Sequence, residues 1–167
     1  MSSGFSNKPN AAIRPADNFL RRKIGSAAMS EIFTLEKIEA CQRRVDESMS
    51  ESLQEMQTQV TTLGEEYMKA SKDPAYAAAA LTKGNELAFF IKRRMETLNF
   101  IFGYRVAESL YNYTKATAIF TPDVLLVVCK HVAVLNIIIH QRITGAGGAM
   151  EAELLANLKT LIAKTRK

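Results

Sequence analysis

From Leu35 to Tyr67 the apolar residues Leu35, Ile38, Val45, Met49, Met56, Val60, Leu63 and Tyr67 recur at mixed spacings of three, four and seven, with Glu, Gln, Arg and Lys between them. That period belongs to a helix with one apolar stripe and to no strand. A pattern that begins near Ser30 and runs for roughly 40 residues makes one helix about 60 Å long at 1.5 Å per residue. A stripe of that length needs other helices to cover it, and no strand pattern elsewhere competes, so the chain is expected to be all-α.

The punctuation after that helix divides the rest of the chain. Asp73-Pro74 stops the first helix and starts a second, because Asp suits an N-cap and proline a first helical turn. Ala77, Leu81, Gly84, Ala88, Ile91, Met95, Leu98 and Phe102 form the stripe of the second helix. Gly103 interrupts, and a third pattern continues through Val106, Leu110 and Tyr113 to about Ala118; the sequence leaves open whether Gly103 bends one helix or separates two. Thr121-Pro122-Asp123 opens a fourth helix, Val124 to about Ile143, whose apolar character nearly all round places it centrally. Gly145-Ala146-Gly147-Gly148 ends it as a hinge, and Met150 to Lys164 forms a last amphipathic helix. The short connections at Lys72 to Asp73 and Phe120 to Thr121 favour antiparallel neighbours. The expected fold is an elongated antiparallel four-helix bundle with an additional C-terminal helix.

With 167 residues and 47% hydrophobic composition the chain suits one globular domain with or without a tail. Its net charge of +5 looks like a nucleic-acid signature until the charge is located. Residues 1–29 carry Lys8, Arg14, Arg21, Arg22 and Lys23 against Asp17 alone, and so supply +4 of it. The remaining stretch, 30–167, is almost neutral and offers a phosphate backbone little, so no nucleic-acid partner is expected. Residues 1–29 are expected to be a basic, largely disordered segment, although Phe19, Leu20 and Ile24 could lie along the helices. Cys41 and Cys129 are far apart and lack any metal-ligand spacing, which signals neither a disulfide framework nor a metal site and fits a reducing cytoplasm. No leader pattern opens the chain, and Lys130, His131 and Asn136 interrupt its most apolar stretch, so membrane insertion is not expected.

Few residues look chemical. The glycine cluster 145–148 lacks the preceding strand and the Gly-Lys-Ser/Thr ending of a phosphate cradle. His131 and His140 lie nine residues apart on one helix, about 180° from each other, and cannot share a metal. His131 has Val127, Val128 and Leu135 as helical neighbours and suits a satisfied, buried histidine; Cys129 suits the core likewise. Glu65, Glu66, Glu151 and Glu153 sit on ordinary solvated faces. No cofactor is implied. The run Phe89-Phe90-Ile91-Lys92-Arg93-Arg94-Met95-Glu96 differs, because only Ile91 and Met95 belong to the inward stripe while Phe89, Arg93, Glu96, Thr97 and Phe100 share another side. Two aromatic residues flanking charged groups there make a docking patch, unless a neighbouring helix covers the rings.

The segment from Arg93 to Tyr104, followed by Ala107-Glu108-Ser109-Leu110, resembles the core motif of histidine phosphotransfer domains, in a short single-domain version of alphaproteobacterial type. In that family a helix carries His, then Lys and Gly three and four positions later, and a further Gly ten positions after the His. Gly103, inside Phe102-Gly103-Tyr104, takes the last place. Asn18-Phe19-Leu20-Arg21-Arg22-Lys23-Ile24-Gly25, the helix from about Leu35, and His131-Val132-Ala133-Val134-Leu135 followed by Gly145 to Gly148 are also similar in order and spacing. The resemblance covers residues 18 to 160.

The departures decide what the resemblance implies. Arg93 stands where the family has its phosphoaccepting histidine, Glu96 where it has Lys, and Thr97 where it has Gly. A guanidinium stays protonated and offers no neutral nitrogen nucleophile, and Glu96 would repel the phosphoryl group that the family's lysine offsets. The resemblance therefore implies a non-enzymatic, cytoplasmic signalling protein that docks a response-regulator receiver domain or a similar partner through Phe89, Lys92, Arg93, Glu96, Thr97 and Phe100. Two alternatives stay open: a phosphorelay carrier using His131 or His140, and a helical scaffold without receiver binding.

Overall fold

The structure, a computed structural model, describes residues 34–146 and 148–165. The chain divides into two compact units, one ending at Val45 and one beginning at Asp46. The basic segment 1–29, its expected boundary at residue 30 and the expected docking of Phe19, Leu20 and Ile24 lie outside the described residues. Among the described residues the regular structure is entirely helical: α1 (Leu35–Lys72), a single 3₁₀ turn (Pro74–Tyr76), α2 (Ala77–Thr97), α3 (Ile101–Lys115), α4 (Pro122–His140) and α5 (Ala149–Thr165).

Local chemistry accounts for most helix starts. Thr34 receives the Lys37 N–H at the head of α1, Glu36 lies in its first turn, and Lys69 and Lys72 lie in its last, each sign matching the helix dipole. The Asp73 carboxylate accepts the Ala75 N–H at 3.0 Å, and the Thr121 hydroxyl accepts the Val124 N–H at 3.3 Å ahead of Pro122 and Asp123. The Gly148 N–H bonds the Glu151 carboxylate at the head of α5.

The helix ends correct two sequence expectations. Gly103 neither bends nor separates anything: it lies buried inside α3, and α2 ends earlier, at Thr97, with Asn99 just beyond it at a left-handed φ of 58°. The Phe100 N–H then bonds the Met95 carbonyl at 2.9 Å, closing a Schellman turn that drives the Phe100 ring into the core. The same device ends α4, where Arg142 has φ 51° and the Ile143 N–H bonds the Ile138 carbonyl at 3.0 Å. The described residues of the cluster, 145, 146 and 148, lie beyond that stop, so the cluster does not cause it. Its Gly145 carbonyl instead accepts the Phe102 N–H at 3.1 Å, which satisfies a free donor of the first turn of α3.

Paired contacts give the helix directions within the unit from Asp46 onward. Glu55 meets Arg94 and Glu66 meets Lys83, so α1 and α2 run antiparallel. Phe89 meets Tyr111 and Lys92 meets Glu108, which sets α3 antiparallel to α2. Ser109 meets His131, a Gly103 side chain would meet Ile138, and Gln57 donates to Asn136 at 2.8 Å, so α4 lies against α3 and α1. The core holds Met56, Leu63, Tyr67, Ile91, Met95, Phe102, Leu110, Leu135 and Ile138.

Two stripe assignments change. Leu35, Ile38, Val45 and Met49 are exposed, and the burial of α1 begins only at Leu53. Helix α4 buries one face, Val124, Val127, Val128, His131, Leu135, Ile138 and Ile139, but leaves Leu126 and Ile137 exposed, so it is flanked rather than central. It is the one helix among the described residues with the length and apolarity to cross a membrane.

Candidate functional site

The candidate face is built on the second half of α2. Residues 89, 93, 96 and 97 share one side because i, i+4 and i, i+7 positions stack along a helix. Phe89 is 43% exposed and Phe90 56%. Their rings meet edge to face at 5.9 Å between centroids, and Phe89 also leans on Tyr111 of α3 at 5.7 Å. Pairing on one flank holds both rings in place while their outer faces stay open to solvent, around a cleft that Asn85, Glu86 and Tyr111 complete.

The three consecutive cations behave differently. Arg94 reaches back to α1 and pairs with Glu55 at 2.5 Å. Lys92 reaches the other way to Glu108 at 3.1 Å and lies 5.3 Å from the Tyr104 ring and 5.6 Å from that of Tyr111. The Lys92 ammonium is held more firmly protonated, first by its hydrogen bond to Glu108, and the Glu108 carboxyl is pushed below its ordinary range, first by Lys92 and then by the Tyr104 hydroxyl, which donates to it at 2.9 Å. Both therefore brace α2 against its neighbours and do not add free positive charge to the face. Arg93 alone points outward, its side chain 64% exposed and tied, among the described residues, only to Glu96, one turn on, at 3.1 Å. Such an exposed pair is worth little in water and opens readily for a better acceptor. Thr97 is exposed, its hydroxyl donating to the Arg93 carbonyl at 3.0 Å.

Phe100 does not belong to this face. It is 2% exposed, because the residue after a left-handed cap turns inward under the helix it follows. The exposed aromatic that completes the patch is Phe90, with Tyr111 beneath Phe89. Phe90 was legible as an aromatic beside the stripe; Tyr111 required the docking of α3 on α2.

His131 is fully buried, with Nδ1 2.8 Å from the Val127 carbonyl and Nε2 3.2 Å from the Ser109 hydroxyl. Burial pushes its pKa below the ordinary imidazole value, against the raising effect of the Val127 bond. In this conformation the ring is closed to any phosphodonor, whereas His140 is exposed near the end of α4. Cys129 is half-buried rather than core, and Cys41 is exposed. Among the described residues no three His, Cys, Asp or Glu side chains cluster as metal ligands.

Glu66 overturns its expected place on a solvated face. It is 2% exposed and accepts Lys69 at 2.9 Å, Lys83 at 3.0 Å and the Tyr76 hydroxyl. These donors, Tyr76 first, lower its pKa to about 2. The carboxylate ties the end of α1 to the 3₁₀ turn and to α2. It is a fold clasp at the other end of α2 from Arg93.

The chain matches no protein-family model, no curated protein and no solved structure.

Proposed function

We propose that the chain is a histidine phosphotransfer-like signalling protein of the cytoplasm, an antiparallel four-helix bundle of that type with an additional C-terminal helix. Its α2 face docks the receiver domain of a response regulator and modulates it by occupancy. The observation that carries this reading is Arg93, the one outward cation of Lys92-Arg93-Arg94, beside the open rings of Phe89 and Phe90. It takes the place of the phosphoaccepting histidine in the motif that the sequence resembles. A receiver's phosphorylation pocket is rimmed by clustered carboxylates. A guanidinium released from Glu96 complements that charge, and the phenyl rings supply the apolar contact that interfaces concentrate at their centre.

Position 93 itself transfers no phosphoryl group on this reading, since arginine lacks the nucleophilic nitrogen. Titration calorimetry of candidate receivers against wild type and Arg93→Glu tests the docking. The charge reversal should weaken binding by about 2 kcal/mol or more and leave folding nearly unchanged. Equal affinities would remove this face from the mechanism.

A further inference from the structure

A second site lies beside the Lys92–Glu108 pair, on the face of α3 that meets α5. Arg105, Ser109, Asn112 and Tyr113 recur at helical spacing along α3 and, with Leu155 and Lys159 of α5, line a cleft of about 480 Å³. Two observations set it apart from a surface groove. Arg105 and Lys159 are cations without a carboxylate partner among the described residues, whereas the cleft's one acid, Glu108, is already engaged by Lys92 and Tyr104. Behind the cleft wall stands a fully buried histidine whose tautomer is fixed: a carbonyl can only accept, so Nδ1 carries the proton that bonds Val127. Nε2 therefore presents its lone pair to the Ser109 hydroxyl, 3.2 Å away, and the hydroxyl donates to it. Ser109 itself lines the cleft, and its oxygen keeps both lone pairs when it donates to Nε2.

We propose that Ser109, with His131 as its general base, is an acyl-accepting nucleophile for small carboxylic esters that carry a second, free carboxylate. A nucleophile and base within hydrogen-bond reach, the base oriented by a third group, is the arrangement that activates a serine. Arg105 and Lys159 hold the free carboxylate of the ester. As Oγ bonds to the ester carbon, its proton passes to Nε2 and the carbonyl π pair moves onto oxygen, where Asn112 and Lys159 supply N–H donors. Collapse breaks the bond to the alcohol oxygen, which leaves into the open cleft and takes its proton from a water there. The hydroxide so formed attacks the acyl-serine, and Oγ departs with the proton that Nε2 has held, regenerating Ser109 and releasing the acid. This site is independent of the α2 face.

The full chain is treated with a fluorophosphonate, whose P–F bond is replaced by a bond from phosphorus to a serine oxygen, and the adduct is mapped by peptide mass spectrometry. Hydrolysis of the mono-p-nitrophenyl ester of succinic acid is followed in parallel. The expected result is an adduct at Ser109, lost in Ser109→Ala and slowed about a hundredfold or more in His131→Gln. Ester turnover should follow the same order, and Arg105→Gln with Lys159→Gln should abolish the preference for the succinate over the acetate ester. No adduct at Ser109 in wild type, or equal labelling of a folded His131→Gln variant, overturns the proposal. Ser109→Cys gives a test that leaves His131 in place. The introduced thiol should favour iodoacetate over iodoacetamide more strongly than the exposed Cys41 of the same molecule does, and equal ratios at the two thiols overturn the cationic cleft.

Discussion

Gly84→Ala adds one methyl group where Tyr67 of α1 packs on α2. A Cβ at that position would stand 2.7 Å from the Tyr67 Oη and 2.8 Å from its Cζ, and nearer still to Cε2. The ring has no room to retreat, being fully buried with Phe120 at 6.0 Å on its other contact. Overpacking of a dense core costs roughly 1 to 3 kcal/mol, and contacts this short belong at the upper end. Alanine in a helix interior returns about 1 kcal/mol relative to glycine. The net expectation is a loss of about 2 kcal/mol, or roughly 4 to 8 °C in Tm for a chain of this size. Gly103→Ala is the control: its closest obstacle is the Met95 sulfur at 2.6 Å, part of a flexible side chain that can turn aside, so its net cost should be markedly smaller. Urea unfolding of both variants, and of Gly84→Ala combined with Tyr67→Leu, makes the comparison. Shrinking the tyrosine should recover at least about 1 kcal/mol of coupling. A Gly84→Ala chain as stable as wild type would show that the Tyr67 ring does not pack against Gly84 as described.

The exposure difference between two phenylalanines predicts opposite phenotypes: Phe100→Ala should cost about 3 to 5 kcal/mol by thermal unfolding, while Phe89→Ala should stay near wild-type stability and weaken receiver binding. Tyr67→Phe should be neutral or raise stability by about 1 kcal/mol in urea titration, because the buried hydroxyl has no hydrogen-bond partner to lose among the described residues. Acid should destabilise the fold in two stages. The His131 pKa is lower in the folded chain than its ordinary value of 6.5, so the unfolded chain binds the extra proton first and stability falls as the pH drops below about 6.5. Glu66, lowered to about 2 from 4.5, adds a second loss as the pH falls from about 4.5 toward 2. Urea midpoints measured down the pH scale should show both losses, and Glu66→Gln should flatten only the lower one. A midpoint unchanged from neutral pH to below 4 would contradict both assignments.

What the sequence determined by itself is what neighbours along the chain decide. The helical period needs only the spacing of apolar residues. Asp73-Pro74 and Thr121-Pro122 start helices because the side chain that caps and the N–H it receives are two or three residues apart. The outward face of Arg93 followed from its offset against Ile91 and Met95. Tertiary structure decided the rest. Asn99 and Arg142 take left-handed backbones, which cost a side chain some strain, because the Phe100 and Ile143 that follow them pack against the core. Glu66 reads as a surface acid until a turn and a second helix bring Tyr76 and Lys83 to it. Ser109 and His131 stand 22 residues apart on different helices, and neither spacing nor composition joins them. The physical reason is range: caps and periods are set by interactions within one or two turns, whereas burial and pairing across helices depend on which surfaces meet once the helices pack.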